Sequence, residues 1–275
     1  MTDRLKGKVA IITGSSRGLG RYCALGYARE GASVVIAART ETETNPNLPG
    51  TIHETASLVE EAGGEAFPVV CNVTDYASVQ SMVEQVLARF GRIDILMTNA
   101  AVQPPGMIST IEVRHWELEF RVNVHGSFYA IRAALPSMQE RGSGNIITIS
   151  SVAALRGSHY GATKRAIESM TIGLAQEVSD QGIAVNCLRP VGAIETPGVL
   201  MERDSRQPGY RASAAEWPKP DSYVEAAILL AQQTPSSCTG EVFTDAEAIQ
   251  RLGGPEAFER FKAMNPVGWS ASLSA

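Results

Sequence analysis

Several features that would direct this chain to a membrane or to nucleic acid are missing from its sequence. No apolar run approaches the ~18 residues that a membrane-spanning helix needs, and the start, MTDRLKGK, leads into only a short apolar segment, so no secretory signal is predicted. Neither charge sign dominates, because 24 Lys and Arg stand against 29 Asp and Glu. The net charge of −5 therefore gives no basic surface for nucleic acid.

Cysteine is scarce and scattered. The four cysteines are far apart, with no CxxC pair and no histidine nearby; they are Cys23, Cys71, Cys187 and Cys238. This spacing argues against a disulfide framework and against a metal site, and it favours buried thiols in the reducing cytoplasm. With 275 residues, 44% of them hydrophobic and 19% charged, the chain has the composition and length of one large globular domain, residues 1–275.

Short β-branched runs alternate with longer amphipathic stretches along the chain. The runs lack strict polar alternation, which is typical of parallel strands covered on both faces; they are residues 8–13, 33–38, 66–71, 93–97, 145–149, 183–188 and, shortest, 241–244. Helices are predicted between them, over residues 19–30, 52–62, 76–90, 114–140 and 159–180. The order predicts a Rossmann-like, doubly wound parallel α/β sheet of about seven strands, with helices on both faces.

Two segments interrupt this alternation. Residues 40–50, TETETNPNLPG, are polar and contain prolines, so they are predicted to form an inserted loop. Residues 195–221 carry four prolines and are interpreted as a mobile excursion near the carboxyl edge of the sheet. Glycines follow the predicted helices where a left-handed cap is expected; they are Gly31, Gly63, Gly91, Gly142 and Gly182.

A glycine-rich turn, TGSSRGLG over residues 13–20, directly follows the first strand and opens the first helix. Gly14 permits a tight turn, Gly18 allows backbone N–H groups to approach a pyrophosphate, and Gly20 allows close packing of helix on strand. The helix N-terminus adds unpaired donors and partial positive charge. The alternative is a plain strand-to-helix turn, but this placement favours a dinucleotide site.

The end of the second strand bears on which dinucleotide binds. An acidic residue there would accept from a ribose 2′-hydroxyl, but the strand ends Ala37-Ala38-Arg39. A guanidinium grips a 2′-phosphate with two hydrogen bonds, so Arg39, with Arg17, favours NADP over NAD, which remains possible. The alternative is that Arg39 is a solvated loop charge.

A tyrosine and a lysine lie one turn apart at the start of a predicted helix, in Tyr160-Gly-Ala-Thr-Lys164. The i, i+4 spacing puts both side chains on one face. A neighbouring ammonium lowers the pKa of a phenol toward the range in which it serves as acid or base at neutral pH. Taken alone, a tyrosine and a lysine at this spacing are common in helices, so the alternative is a chance occurrence.

The combination is far more specific. With the turn at 13–20, Asn99-Ala-Ala, the run RVNVHG over residues 121–126 and Ile149-Ser-Ser151, the chain resembles the short-chain dehydrogenase/reductase (SDR) family from about Lys6 to Gly240. The resemblance implies an oxidoreductase that interconverts an alcohol and its carbonyl. The catalytic group that it implies is Asn123, Ser151, Tyr160 and Lys164.

The resemblance also implies a nicotinamide dinucleotide held mainly by residues 1–150, with catalysis and substrate binding in residues 150–275. Asn72 matches the residue that contacts the adenine amino group, and Asn99 the one that steadies the central strand. The implied cofactor contacts are Gly14, Ser16, Arg17, Gly18, Leu19, Gly20, Arg39, Asn72, Val73, Asn99, Ala100, Tyr160, Lys164, Pro190 and Thr196. Family members form homodimers or homotetramers, here through the helices over 114–140 and 159–180.

The sequence departs from the family pattern at three places. The stretch from Ser151 to Tyr160 is a few residues short, so Ser150 or Ser158 could share or replace the role of Ser151. Alanine stands at 101 where the family has glycine, and the backbone there is expected to lie less close to the cofactor. An extra Val191 in Arg189-Pro-Val-Gly192 leaves the register of Thr196 open.

Substrate identity lies in the segments that are hardest to interpret. Met201, Tyr210 and Trp217 predict an apolar lining and thus a hydrophobic alcohol or ketone. Residues 47–52 resemble an SDR subgroup described as hydroxysteroid-dehydrogenase-like or acting on terpenoid alcohols. The tail over 252–275 is expected to pack at a subunit contact or to cover the pocket.

Two other assignments stay open. His159, at a helix start, is interpreted as solvated or capping, with contact to substrate as the alternative. The competing functions are a dinucleotide-binding sensor or scaffold without turnover, and a lyase or epimerase on the same fold. A poised Tyr160–Lys164 pair argues against a sensor, and net cofactor consumption would separate an oxidoreductase from a lyase or epimerase.

Overall fold

The computed structural model describes residues 3–43, 45–206, 218, 220–265 and 269. Its sheet has seven parallel strands in the order β3-β2-β1-β4-β5-β6-β7. The strands are β1 Val9–Thr13, β2 Ser33–Ala38, β3 Glu65–Val70, β4 Ile95–Thr98, β5 Gly144–Ile149, β6 Ile183–Arg189 and β7 Val242–Thr244. The predicted fold class is confirmed, and each predicted strand begins and ends within two residues of the observed one.

Helices cover both faces of the sheet, and each of the two faces has its own apolar core. They are α1 Gly18–Arg29, α2 Ile52–Glu61, α3 Tyr76–Phe90, α4 Val113–Phe120, α5 Gly126–Arg141, α6 His159–Val178, α7 Pro197–Arg206, α8 Pro220–Ala231, α9 Asp245–Ala248 and α10 Gly254–Met264. Within the described ranges, no helix combines the length and hydropathy that crossing a bilayer demands. The glycines predicted as left-handed caps all have positive φ.

The strand pattern follows from burial. Every residue of β1 and five of the six in β2 are buried, which explains their unbroken apolar runs. The edge strand β3 is largely exposed or half-buried and contains Pro68, a residue that sheets tolerate at edges because it lacks a ladder donor. The chain reverses its strand order between β1 and β4, so the crevice for a ligand lies at the carboxyl ends of these two strands.

Two predicted segments need correction, and three helices were not predicted. The helix over 114–140 is two helices, α4 and α5, joined by one π-helical turn at Arg121–His125. The excursion over 195–221 contains the regular helix α7 and the start of α8. Helices α8, α9 and α10 were not predicted; α8 has eight of its twelve residues buried and shows no clear polar face.

The described part of the tail packs on the chain's own core. Phe258 stacks on Trp269 with ring centroids 6.0 Å apart, and both are buried. The Trp269 indole donates to Asp245 Oδ2 at 2.8 Å, while Asp245 Oδ1 accepts from the backbone N–H of Val191. Asp245, at the start of α9, thereby links the inserted Val191 to the tail. Tyr210 and Trp217, expected to line the pocket, lie outside the described residues.

Candidate active site

The glycine-rich turn is fixed to two strands by its own backbone. Gly14 donates its N–H to Ala37 O at 2.7 Å. The buried Ser15 hydroxyl donates to Ile12 O at 2.7 Å and accepts from Ala37 N at 3.0 Å. These bonds hold the turn at the carboxyl ends of β1 and β2, with the N-terminus of α1 directly behind it.

Each glycine of the turn occupies a place where a side chain would collide or strain. Gly14 has φ +70°, and a Cβ there would lie 2.7 Å from Ala100 Cα. A Cβ on Gly20 would lie 2.6 Å from Asn99 Nδ2, and one on Gly18, at φ +58°, would lie 3.4 Å from Thr196 Cβ. The last distance places Thr196 beside the turn.

The segment after β4 closes the other side of this cradle. Asn99 Nδ2 donates to Thr13 O at 2.8 Å and to Gly14 O at 3.2 Å, so it braces β1 against β4. The backbone N–H groups of Asn99 and Ala100 both donate to the Thr13 hydroxyl. Ala100 therefore lies against Gly14, at the carboxyl ends of β1 and β4. The alanine at 101, where the family has glycine, does not prevent this contact.

The turn after β3 holds Asn72 and Val73, which the family resemblance implies as cofactor contacts. Asn72 Oδ1 accepts from the backbone N–H and the hydroxyl of Thr74, and the Asn72 N–H donates to Ser78 Oγ at 3.0 Å. The side chain of Val73 packs against α5, where a Cβ on Gly126 would lie 2.8 Å from Val73 Cγ2. Asn72 is half-buried and its position is fixed by this turn.

Three guanidinium groups gather at the corner between the turn and the end of β2. Arg17 Nη2 donates to Thr40 Oγ1 at 3.1 Å and to Gly50 O at 2.7 Å. Burial lowers the pKa of Arg17; the charges of Arg21 and Arg39 lower it further, and those of Glu43 and Glu54 raise it. Glu54 also pairs with Arg21 at 3.0 Å. Arg39 itself is exposed. Guanidinium groups gathered in this way suit a phosphate group.

These residues fit a dinucleotide. The cradle has no room for Cβ atoms at Gly14 and Gly20, and Arg17, which precedes α1, places no side-chain cap on the helix N-terminus. The first N–H groups of α1 therefore remain donors for a pyrophosphate. Ser16 is buried within the turn and Leu19 packs against the core, so both shape the cradle.

A glycine-to-alanine exchange tests the cradle. Gly20→Ala is expected to abolish detectable binding of NADPH, because its Cβ would press on Asn99 Nδ2 and Gly14 O. Gly173→Ala is the matched control, since it too is a helical glycine and, among the described residues, no atom outside its own stretch of helix lies within 4 Å of its added Cβ. Fluorescence titration with NADPH measures both; equal affinity in the two variants would contradict the assignment of the cradle.

Tyr160 and Lys164 lie on one face of α6, as their spacing predicts. Lys164 Nζ lies 5.4 Å from the centroid of the Tyr160 ring. The lysine is 1% exposed, and its Nζ donates to Ile149 O at 2.9 Å, at the end of β5. Burial lowers the pKa of Lys164 from 10.5 to about 8. A cation is thus held under the phenol at the carboxyl edge of the sheet.

The three neighbouring serines have different partners. Ser150 is buried and donates to Glu168 Oε1 at 2.7 Å, and Ser158 caps α6 by accepting from Gly161 N at 2.8 Å. Ser151 Oγ accepts from Ala153 N at 3.2 Å, a bond that does not use the hydroxyl proton. The bonds to Ser151 and Ser158 leave both hydroxyl protons unused, whereas Ser150 uses its own on Glu168, so Ser150 is the serine least suited to donate to a substrate oxygen.

The short stretch from Ser151 to Tyr160 packs tightly on α6. Residues Val152–Leu155 form one 3-10 turn. A Cβ on Gly161 would lie 2.3 Å from Ala153 O and 2.6 Å from Arg156 O. The glycine after the tyrosine thus lets the shortened loop approach the helix. Sequence reasoning missed this role, although the short loop was itself the signal.

Asn123 lies in the π-helical turn and is fully buried. Its Oδ1 accepts from Val102 N at 2.9 Å, and its Nδ2 donates to Val102 O at 3.0 Å and to Thr163 Oγ1 at 3.1 Å. A π-turn often marks a functional site because it re-aims one residue of a helix. Here it directs an amide toward the residue that precedes Lys164.

The interpretation of His159 as solvated or capping is wrong. The ring is 2% exposed, its Nδ1 lies 2.8 Å from Glu119 Oε2, and its Nε2 lies 3.0 Å from Gly106 O. The cap of α6 is Ser158 instead. Glu119 was missed altogether, because an acidic residue on an amphipathic helix normally faces solvent.

Comparison with known proteins agrees with this geometry. The family model described as short chain dehydrogenase matches residues 8–207. The 3-oxoacyl-acyl-carrier-protein reductase FabG of Thermotoga maritima is 33% identical over 245 residues, covering 87% of this chain and 96% of that protein. Hydroxysteroid dehydrogenase-like protein 2 of Danio rerio is 32% identical over 259 residues; these cover 92% of this chain and 60% of that protein.

One similar solved structure contains a nicotinamide cofactor. The gluconate 5-dehydrogenase of Burkholderia cenocepacia J2315, in complex with NADP and tartrate, superposes with a TM-score of 0.74 at 32% identity. The match covers 88% of this chain and 94% of the other. From fold, site and relatives together, the chain belongs to the short-chain dehydrogenase/reductase family, whose members are NAD(P)-dependent oxidoreductases acting on CH–OH groups.

Proposed function

We propose that this protein is an NADP-dependent oxidoreductase that interconverts a hydrophobic alcohol and its carbonyl, with Tyr160 as the general acid and base. The observation that carries this proposal is the Lys164 ammonium 5.4 Å from the Tyr160 ring, at the sheet edge that also holds the glycine cradle. The cofactor, when bound, supplies or accepts the hydride.

The chain's own residues handle the proton and the substrate oxygen. In carbonyl reduction, Tyr160 donates its phenolic proton to the oxygen as negative charge develops there, and the Lys164 ammonium stabilises the phenolate that remains. In alcohol oxidation the phenolate takes the proton back. Ser151 donates a second hydrogen bond to the same oxygen and so holds it in place.

Asn123 acts in this proposal as a positioning residue. Its amide bridges Val102, after β4, and Thr163, beside Lys164. The two halves of the site therefore keep a fixed spacing. Both amide donors are used in these bonds.

The preference for NADP rests on the basic corner. Arg39→Asp is expected to shift the ratio of NADPH to NADH affinity toward NADH by about tenfold or more, because it exchanges a charged donor for a group that repels the 2′-phosphate. Arg29→Asp, which makes the same charge change at the far end of α1, is the control. If the ratio in Arg39→Asp equals that of the wild type, another residue selects the cofactor.

The hydrophobic substrate is supported by apolar side chains near the carboxyl edge. Met107, Ile108 and Leu155 are each about two-thirds exposed, and Met201 is also exposed. Exposed apolar groups of this size mark binding surfaces. The similarity to hydroxysteroid dehydrogenase-like protein 2 points to the same substrate class, as do residues 47–52.

We further propose a cytoplasmic homodimer or homotetramer with the chain as one domain. Four buried free thiols support a reducing compartment. Exposed apolar residues on the helices expected to pair, Trp116 on α4, Phe128 on α5 and Ile172 on α6, support contact with a second copy. Pro190 and Thr196 complete the proposed cofactor contacts near the turn.

The experiment that tests the proposed function is a titration followed by a turnover screen. Fluorescence titration with NADPH and NADH first measures affinity, and a panel of apolar ketones is then followed by nicotinamide absorbance. We expect NADPH oxidation stoichiometric with alcohol formed. Binding without turnover would favour a sensor, and conversion without net cofactor oxidation would favour a lyase or epimerase.

A further inference from the structure

A buried acid–imidazole pair lies immediately before Tyr160 and has no part in the chemistry proposed above. Glu119, on α4, is 0% exposed, and His159, the first residue of α6, is 2% exposed. Their side chains meet at 2.8 Å, Nδ1 to Oε2. The two residues are 40 positions apart, so the pair joins separate elements of the fold.

The second ring nitrogen fixes the protonation pattern. His159 Nε2 lies 3.0 Å from Gly106 O, and a carbonyl oxygen only accepts, so Nε2 carries a proton. Nδ1 then either donates to the Glu119 carboxylate or accepts from its protonated form. Both arrangements keep both hydrogen bonds and leave the pair with no net charge.

The carbonyl that His159 holds belongs to the β4–α4 loop, residues 101–112. This loop has a second anchor at Val102, whose N–H and C=O both bond to Asn123. The two anchors therefore tie the loop to α6, one directly at His159, next to Tyr160, and the other through Asn123 to Thr163. Met107 and Ile108, 67% and 65% exposed, follow directly after the anchored Gly106.

Stability alone is a weak explanation for the pair. A buried ion pair is commonly matched or exceeded in stability by apolar side chains of similar volume. Moreover, Glu119 Oε1 has no hydrogen-bond partner in the described part of the chain, which adds a desolvation cost. What apolar side chains would not provide is the hydrogen bond from His159 to Gly106.

We propose that His159 is a positioning residue: with Glu119 as its buried partner, its imidazole holds the β4–α4 loop against the start of α6 in the arrangement that binds the carbonyl substrate beside Tyr160. The proposal rests on the proposed function, because it needs the substrate to meet Tyr160. It adds that substrate binding depends on this loop anchor, whereas cofactor binding does not.

Two substitutions at one position separate the two contacts of the ring. His159→Asn keeps a donor near the place of Nδ1, for Glu119, and loses the bond to Gly106. His159→Gln keeps a donor near the place of Nε2, for Gly106, and loses the bond to Glu119, which leaves a buried carboxyl group without its partner. If the pair only stabilises the fold, His159→Gln is expected to be the more damaging substitution. If His159 anchors the loop, His159→Asn is expected to weaken substrate binding more than His159→Gln does.

The readouts are the KM and kcat for an apolar ketone, the NADPH dissociation constant, the Tm and hydrogen exchange of residues 101–112. For His159→Asn we expect a KM about tenfold higher, faster exchange in the loop and unchanged NADPH affinity. For His159→Gln we expect a lower Tm with KM and loop exchange close to wild type.

The proposal is overturned if His159→Asn leaves KM and loop exchange at wild-type values, or if both variants raise KM equally. Hydrogen exchange needs no turnover, so it still tests the anchor if the wild type reduces no ketone, in which case the proposed function fails separately. If His159→Gln does not fold, Glu119→Gln replaces it: the new amide donates to Nδ1 of a neutral ring, and loop exchange and KM are expected to stay near wild type.

Discussion

Replacing Tyr160 by phenylalanine is expected to lower kcat for carbonyl reduction by about a thousandfold, while NADPH affinity stays unchanged. The phenol is the group that gives a proton to the substrate oxygen, and phenylalanine keeps the ring above Lys164 but carries no proton to give. Steady-state turnover at saturating NADPH measures the first quantity, and fluorescence titration the second.

Tyr129→Phe is the matched control for this exchange. Tyr129 is a half-buried tyrosine on α5 whose ring lies 5.3 Å from that of Tyr76, and it has no place in the proposed chemistry. Its loss of a hydroxyl is expected to leave kcat unchanged. Equal turnover in wild type and Tyr160→Phe would remove Tyr160 as the acid.

Lys164→Met is expected to lower kcat by about 100-fold or more, because the cation that stabilises the phenolate is gone. Stability is expected to hold or to rise at neutral pH. The wild-type lysine is fully buried with a lowered pKa, so its ammonium is held at a cost, and methionine fills a similar volume without charge.

The pH dependence of stability gives this prediction a second readout. The folded chain has a pKa of about 8 at Lys164, and the ordinary value is 10.5. Between these values the unfolded chain binds the extra proton, so the lysine makes stability rise with pH across that window. Urea unfolding at about pH 7 and about pH 10 is expected to show a smaller rise in Lys164→Met than in wild type.

The exposed Lys6 supplies the control for both readouts, since Lys6→Met removes a charge from the surface. We expect it to leave turnover and the pH dependence of stability unchanged. A Lys164→Met variant that turns over like Lys6→Met would show that the phenol needs no cation below it.

The parts of the fold that local pattern determines were predictable from sequence. Buried parallel strands give unbroken apolar runs, and glycine is needed where a helix ends with positive φ, so both signals are visible in the letters. The π-turn at Arg121–His125 leaves no such pattern in the sequence, and α8 shows no clear helical period because most of its residues are buried.

Part of the candidate site was likewise predictable from local sequence patterns, and part was not. The cradle at Gly14–Gly20 and the Tyr160–Lys164 pair follow from spacing within one turn or one helix, and the structure brings them to the same sheet edge. The Glu119–His159 pair depends on two elements that meet only in the folded chain. No local rule identifies such a pair, since each residue alone has the appearance of a surface group.

Transfer of a deuterium label from the cofactor to the product tests most directly whether the protein reduces a carbonyl with Tyr160 as the acid. An apolar ketone is incubated with NADPH deuterated at the transferring position of the nicotinamide, and the alcohol is analysed by mass spectrometry for wild type and Tyr160→Phe. We expect one deuterium in each alcohol molecule from the wild type, matched by oxidised cofactor, and almost no alcohol from the variant. Alcohol without deuterium, or equal deuterated product from both proteins, would contradict this expectation.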